Sequence, residues 1–555
     1  MGMLHASNTV GPAWARAGAV LLSLLAVGTG GCERPPRQLP ASSSASESAA
    51  RSKTVERLPS GSTEVEGQGK KDDGPQGPDA VQSATEASLG APVFSGDPQG
   101  AFAQSFLVLS SWVKKKQGRI YAALVDLETD QWLVKQDAEL PVNVASNAKV
   151  PTAAAALSLL GPAYRFKTEL FGDLSQDGKV ARLVLRGGGA PDLQTADLYR
   201  FVAVLKGRGV VQVPELVVDQ SLFDERYVPP AFEQQPSEWA PFRANVSALS
   251  VDENAVTLNV VPTGPDQPAR FWFDPPGVVE SEGTVMTSKS GTGDAVSWSL
   301  SARDNAQILK SSVGGRLASD LGRQRYARRL DDPRLAGGLV LRRLLTDAGL
   351  KVGAVTLGRR QGEERLAVWQ SAPLAEIVRA MGKDSDNFYA EMVLVALSQA
   401  RHEVPKAPPV TWSSAQGASV LADWLHSIGI WSDGTVVKNG SGLFDANRYS
   451  AGLLVSVLAH MEDNPQVYHE FMSHLAVGAA DGTLKDRMGK SELAGRVRAK
   501  TGTLKDVDAL TGYIQRTRGQ SPLAFSLVIV GAQVAHAEVR KQVDHTVLTW
   551  AIQAQ

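Results

Sequence analysis

The chain has 555 residues, more than one ordinary domain holds, and is 43% hydrophobic and 21% charged. That is enough apolar material for a sizeable core. With 57 basic against 58 acidic residues the net charge is −1, and no basic run with interleaved aromatics occurs, which argues against a nucleic-acid partner.

In chain order, Arg16 precedes an apolar run from Ala17 to Val27 that gives way to small residues. This is the layout of an export signal, and the run is too short to span a membrane comfortably. Residues 1–31 read as that signal. The single cysteine, Cys32, follows Gly30 and Gly31 and resembles the lipid-attachment cysteine of bacterial lipoproteins, with Thr29 where leucine is usual. Ordinary cleavage nearby, with an incidental cysteine, is the alternative. One cysteine excludes an intramolecular disulfide. Residues 32–100 turn to Ser, Pro, Gly and charge, as in "RQLPASSSASESAARS", and read as a flexible tether.

Order is expected from Ala101. "FAQSFLVLSSWVKKK" has helical apolar spacing. "RIYAALVDLET" and "WLVKQDAEL" read as two strands joined by a turn at Thr129 and Asp130. A helix is expected to open at Ser146, with Pro151 bending its first turns. From 164 to 369 the candidates "KVARLVLRG", "ELVVDQSLF", "AVTLNVVPT", "ARFWFDPP" and "AVSWSLSARD" are short strands, interrupted by helical patches at "TADLYRFVAVLKGRG" and "GGLVLRRLLTDAG". This stretch reads as inserted β-rich modules. Helical pattern returns at "PLAEIVRAMGKDSDNFYAEMVLVALSQA". Three strands, "GRVRAKTGTL", "LTGYIQRT" and "PLAFSLVIVGAQ", and a closing helix follow. The expected fold is α/β (α+β): a central antiparallel sheet from both ends of the folded region, flanked by helices. Residues 101–163 and 370–555 would form that body, and 164–369 the insert.

Three motifs stand in order. Ser146 and Lys149 are three residues apart, about one helical turn, so they share a face. "SDN" at Ser385 to Asn387 interrupts a helical run, and "KTGT" at Lys500 to Thr503 lies in a strand-like stretch. The set suits nucleophilic catalysis. A serine hydroxyl needs a base, and a lysine serves only if burial or a second cation lowers its pKa. Lys500 is a candidate for that cation. Gly502 would let a substrate backbone lie against the strand edge. Backbone N–H groups of Ser146 and Thr503 would hold an oxyanion. Each residue also has a plain reading. Ser146 is a candidate helix cap, and Ser385 or Asp384 a candidate cap for the next helix. Decoys exist: "SWVK" at Ser111 to Lys114, and "KSGT" at Lys289 to Thr292, which is out of order. "HEFMSH", His469 to His474, has Ser473 where a zinc-protease motif needs histidine. It reads as helix surface, and no metal site is expected.

The region from about Gln104 onward resembles the low-molecular-mass penicillin-binding proteins of the D-alanyl-D-alanine carboxypeptidase and endopeptidase family that carry a large insertion between the first two motifs. The likeness rests on "VASNAKVPTAAAALSLLGPAYRFKTEL", "LRGGGAPDL", "SALSVDENAVTLNVVPT", "SDNFYAEMVL", "NGSGLFDANRYS", "AADGTLKDRM" and "RAKTGTLKDVDALTGYI". It implies a penicillin-binding transpeptidase/β-lactamase-like domain acting on peptidoglycan stem peptides and cross-links through an acyl-serine. Ser146 would be the nucleophile and Lys149 its base. Ser385 would relay a proton to the leaving amine, and Asn387 would hold the peptide amide and steady Lys149. Lys500, Thr501, Gly502 and Thr503 would form the substrate-binding strand, with the terminal carboxylate on Lys500, Thr501 and Thr503. β-Lactam antibiotics would acylate Ser146. No cofactor is implied, and a periplasmic or cell-envelope location is. A homodimer stays open.

Two positions depart from the family pattern. "SGLFD", Ser441 to Asp445, replaces the usual "SGLSR", so Asp445 stands where an arginine often recognises the stem-peptide side chain. Trp239 lacks the aspartate that commonly follows it; Arg448 or Arg243 are candidate substitutes. A β-lactamase, whose first two motifs stand much closer, and a wall-binding protein without turnover are the competing readings.

Overall fold

The computed structural model describes residues 100–554 apart from 302–307, 404–410, 490–492 and 517–518. The export signal, Cys32 and the tether up to residue 99 lie outside the described residues. Among those described, no helix is long and apolar enough to cross a membrane.

Six antiparallel strands form the central sheet. Their order is Ala476–Val477, Val497–Leu504, Val507–Ile514, Leu523–Val530, Arg119–Asp126 and Gln131–Gln136. The inner strand Leu523–Val530 is buried along almost its whole length, which explains its unbroken apolar run. One face is covered by the first and last described helices. Ala101–Lys115 buries Ala103, Phe106, Leu109 and Val113, and His536–Gln553 buries Val539, Val543, Val547 and Trp550. Each set recurs every three or four residues, so each helix turns one stripe to the sheet. Trp550 lies edge-on to Phe525 at 6.3 Å and donates from Nε1 to the Phe102 carbonyl at 3.2 Å.

The opposite face is covered by Lys149–Leu160 and Ala451–Glu462. The first of these is buried all round from Lys149 to Leu157. Its alanines let neighbouring helices approach on every side. Leu374–Lys383, Asn387–Ala396 and Ser414–Ser427 surround it.

The expected helix start is corrected. Ala145–Ala148 is a single 3-10 turn, and the α-helix begins at Lys149. Pro151 therefore falls in the first helical turn, where its missing N–H has no intrahelical partner to lose.

Residues 167 to 370 build three more sheets. A five-stranded mixed sheet runs Lys351–Leu357, Gln212–Asp219, Arg182–Arg186, Lys167–Phe171, Arg365–Gln370. Helices Thr195–Gly207 and Ala336–Asp347 accompany it, and its buried residues join the core that holds Ala148 and Ala153. A three-stranded and a four-stranded sheet form a satellite with its own core of Leu258, Val260, Val285, Val313 and Leu317.

Candidate active site

The three motifs converge. Lys149 Nζ donates to Ser146 Oγ at 3.1 Å, to Asn387 Oδ1 at 2.7 Å and to the Ser441 carbonyl at 2.9 Å. Lys500 Nζ donates to Ser385 Oγ and to the Thr501 carbonyl, both at 2.8 Å. Both lysines are fully buried. Burial pulls Lys149 down to about 7, against the opposing pull of Asp386 and Glu391. Burial first, and the charge of Lys149 second, pull Lys500 well below its usual range. Of the two expected causes, burial is the one that lowers Lys149, while the lysine–lysine repulsion appears on Lys500.

The plain readings of the two serines fail. Ser146 makes no cap bond; Asn387–Ala396 is capped by Asp386, whose side chain accepts from Tyr389 N at 2.8 Å. Ser385 is left to face Lys500. Two residues at the motifs hold left-handed backbone without being glycine: Ala145 at φ +50° and Ser385 at φ +59°. Such strain persists only where surroundings over-determine it. Around Ala145, Asn143 Oδ1 accepts from Ala145 N at 2.9 Å, and the Ala145 carbonyl meets Gly442. A Cβ on Gly442 would stand 2.0 Å from that carbonyl, and Gly442 itself has φ +74°. Only glycine fits there.

The Lys500 strand presents an open edge. Its outer neighbour, Ala476–Val477, pairs only with Arg498 and Ala499. The Val497 carbonyl accepts from Gly478 on that outer side. Backbone groups alternate along a strand, so those of Thr501 and Thr503 face the open edge. Lys500 and Gly502 point their Cβ positions to the other face; a Cβ on Gly502 would come within 2.8 Å of the Val144 carbonyl. The strand therefore lies directly against the turn that carries Ser146. Thr501 Oγ1 donates to Thr483 Oγ1 at 2.8 Å.

Four residues went unnoticed in the sequence. Asn143 orders the turn before Ser146. Glu391, fully buried, accepts from Gly440 N at 3.2 Å and Ser441 N at 2.9 Å, fixing the loop whose carbonyl holds Lys149. It lies four residues after Asn387 on the same helix, a spacing that puts both on one face. Thr483 comes from "AADGTLKDRM". Glu253 sits in a turn where Asp252, Glu253 and Asn254 all have positive φ; burial, then the charges of Asp386, Asp252 and Asp384, push it up to about 7.

Other candidates resolve differently. Ser111 and Lys114 are exposed, and Lys289 to Thr292 form an exposed turn. "HEFMSH" is not a helix surface throughout: Phe471 and His474 are fully buried, and burial pulls His474 down to about 3. Asp445 is paired with Arg448 at 2.5 Å, while Arg243 bonds the carbonyls of Phe232, Gln235 and Glu238. Neither arginine is an unengaged replacement. A cleft of about 570 Å³ opens beside them, lined by Asn143, Phe444, Asp445, Arg448, Leu504 and Lys505 among others.

Residues 109–553 match the D-Ala-D-Ala carboxypeptidase 3 (S13) family. The chain belongs to that family. As an S13 member it is a D-alanyl-D-alanine carboxypeptidase, a hydrolase of the serine peptidase class. It is 30% identical over 430 residues to the D-alanyl-D-alanine carboxypeptidase of Actinomadura sp. strain R39, covering 73% of this chain and 76% of that protein. It is 26% identical over 416 residues to D-alanyl-D-alanine carboxypeptidase DacB of Haemophilus influenzae, covering 71% and 81%. The S13 fold is shared with the crystal structure of penicillin binding protein 4 from Haemophilus influenzae, at a TM-score of 0.66 and 24% identity over 80% of this chain and 98% of that one. A second crystal structure of that protein holds a β-lactam.

Proposed function

We propose that this carboxypeptidase cleaves stem peptides through an acyl-enzyme on Ser146. One observation carries the reading: Lys149 Nζ lies 3.1 Å from Ser146 Oγ, in a pocket where burial brings the lysine to about 7. In its neutral form Lys149 takes the Ser146 proton as Oγ attacks the penultimate D-alanine carbonyl. The N–H groups of Ser146 and Thr503 receive the oxyanion. The proton taken by Lys149 is balanced by one relayed through Ser385, which is bonded to Lys500, to the leaving amine, and Ser385 is reprotonated in the relay. Asn387 holds Lys149 through Oδ1 and offers Nδ2, which here donates to the Phe242 carbonyl at 3.2 Å, to the substrate amide. Lys500, Thr501 and Thr503 hold the terminal carboxylate at the open edge beside Gly502. Water then frees the acyl group.

The same chemistry applies to cross-links, so endopeptidase action and acylation by β-lactams belong to the proposal. Residues 101–163 and 370–555 would be the catalytic body and 164–369 the insert. "RAGAVLLSLLAVGTGGC" supports export to the cell envelope with a lipid on Cys32.

The test is to incubate the full chain, and a Ser146→Ala variant, with a fluorescent penicillin and with a muropentapeptide. Stable labelling and D-alanine release by the parent, both lost in the variant, are expected. Equal labelling of the two would remove Ser146 from the mechanism. Rapid penicillin turnover would favour the β-lactamase reading.

A further inference from the structure

Thr503 is held from behind. Its Oγ1 accepts from Arg540 Nη2 at 3.1 Å. Arg540 stands in the opening turns of His536–Gln553, on the sheet face away from Ser146. Arg540 Nε lies 3.7 Å from Asp508 Oδ1. Asp508 faces Thr503 directly across the paired strands and is only 8% exposed. Its other oxygen, Oδ2, bonds His536 Nδ1 at 2.7 Å.

A plain helix-to-sheet clasp would put the arginine squarely on the aspartate. Here the closer partner of Asp508 is His536, and the closer partner of Arg540 is the threonine. The guanidinium is thereby aimed at the strand edge. It carries five N–H donors, and the contact with Thr503 uses one of them. Thr501 and Thr503 share a strand parity, so their hydroxyls lie on the same side of the strand. Lys500 Nζ reaches the edge through the Thr501 carbonyl. Lys500 therefore stands at one end of the Thr501–Thr503 segment and the Arg540 guanidinium at the other.

We propose that Arg540 is a positioning and specificity residue: acting through Thr503, it selects leaving groups that end in a carboxylate. This rests on the reading above, in which Lys500, Thr501 and Thr503 hold that carboxylate. Asp508 sets the angle of the guanidinium, and Thr503 carries its influence to the substrate.

The experiment compares an acyl-D-alanyl-D-alanine peptide with its C-terminal carboxamide, using the full chain as parent, R540A and R540K. R540A is expected to lose about tenfold in kcat/KM on the carboxylate peptide, mainly through KM, with little change on the carboxamide. R540K should recover most of the loss. A melting curve and fluorescent-penicillin labelling check each variant, and R540Q takes the place of R540A if truncation unfolds the protein. Equal losses on both peptides, or none, overturn the inference. A parent that is acylated by penicillin yet hydrolyses both peptides equally also overturns it, and leaves the acyl-serine reading standing. A parent that neither labels nor hydrolyses either peptide sinks that underlying reading itself.

Discussion

At the scale of single residues, the site is governed by how far Lys149 has been moved. Its charged form is disfavoured by burial and favoured by Asp386 and Glu391. A base must be neutral, so acylation should rise as pH climbs through about 7 and level off above it. Replacing Glu391 by Gln removes one carboxylate that favours the charged form. The acid limb of the acylation rate should then move to lower pH, although Gln keeps an acceptor oxygen for only one of the Gly440 and Ser441 N–H groups, which Glu391 bonds through separate oxygens. Stopped-flow acylation across pH 5–9 measures this, and an unmoved limb in E391Q would rule out Glu391 as a tuner. The residues carrying recognisable motifs, Ser146, Lys149, Ser385, Asn387 and Lys500, were readable because their types and order are specific. Asn143 and Thr483 were not, since one polar residue in a loop has no pattern until the chain brings a partner to it. The pocket departures at Asp445 and Trp239 were readable as departures, but the engagement of Arg448 with Asp445, and of Arg243 with three carbonyls, exists only in three dimensions.

At the scale of elements, the turn Ala145–Ala148 is pinned from two directions. The Lys500 strand presses on Val144, and Gly442 presses on the Ala145 carbonyl. Gly442→Ala adds left-handed strain to a clash at 2.0 Å. It should destabilise the protein by about 2 kcal/mol or more. Labelling by penicillin should slow as well, because the loop that yields carries the Ser441 carbonyl bonded to Lys149. Thermal melting and labelling rate, measured together, check both halves. Five of the six main-sheet strands and the terminal helices were readable from period and apolar runs; the two-residue edge strand Ala476–Val477 was too short to carry either signal. Leu309–Ala318, "LKSSVGGRLA", was not: it has a glycine pair and no alternation, and its place comes from pairing with three other strands. Val279–Gly283, "VESEG", is polar and almost wholly exposed, so no buried face marks it.

At the scale of the whole molecule, the two cores predict different tolerance to excision. The five-stranded sheet shares its core with the helix that begins at Lys149, whereas the two small sheets close mainly on Leu258, Val260, Val285, Val313 and Leu317 and reach the larger core through Val256 and Val278. Strands Ala255–Val261 and Gln324–Arg329 are antiparallel, with Val260 opposite Gln324. Replacing residues 262–323 by a short Asn-Gly turn should therefore leave a folded protein that still labels with penicillin, at some cost in solubility and in stability, since Val278 leaves the larger core with the segment. Loss of labelling would show that the satellite supports the site.

The pairing of the first and last described helices has a geometric consequence. Gln553 Nε2 donates to the Ala101 carbonyl at 3.0 Å, so the folded body starts and finishes at one spot, on the sheet face away from Ser146. Both ends of the described chain therefore lie behind the sheet, and neither stands in the path of a substrate approaching Ser146.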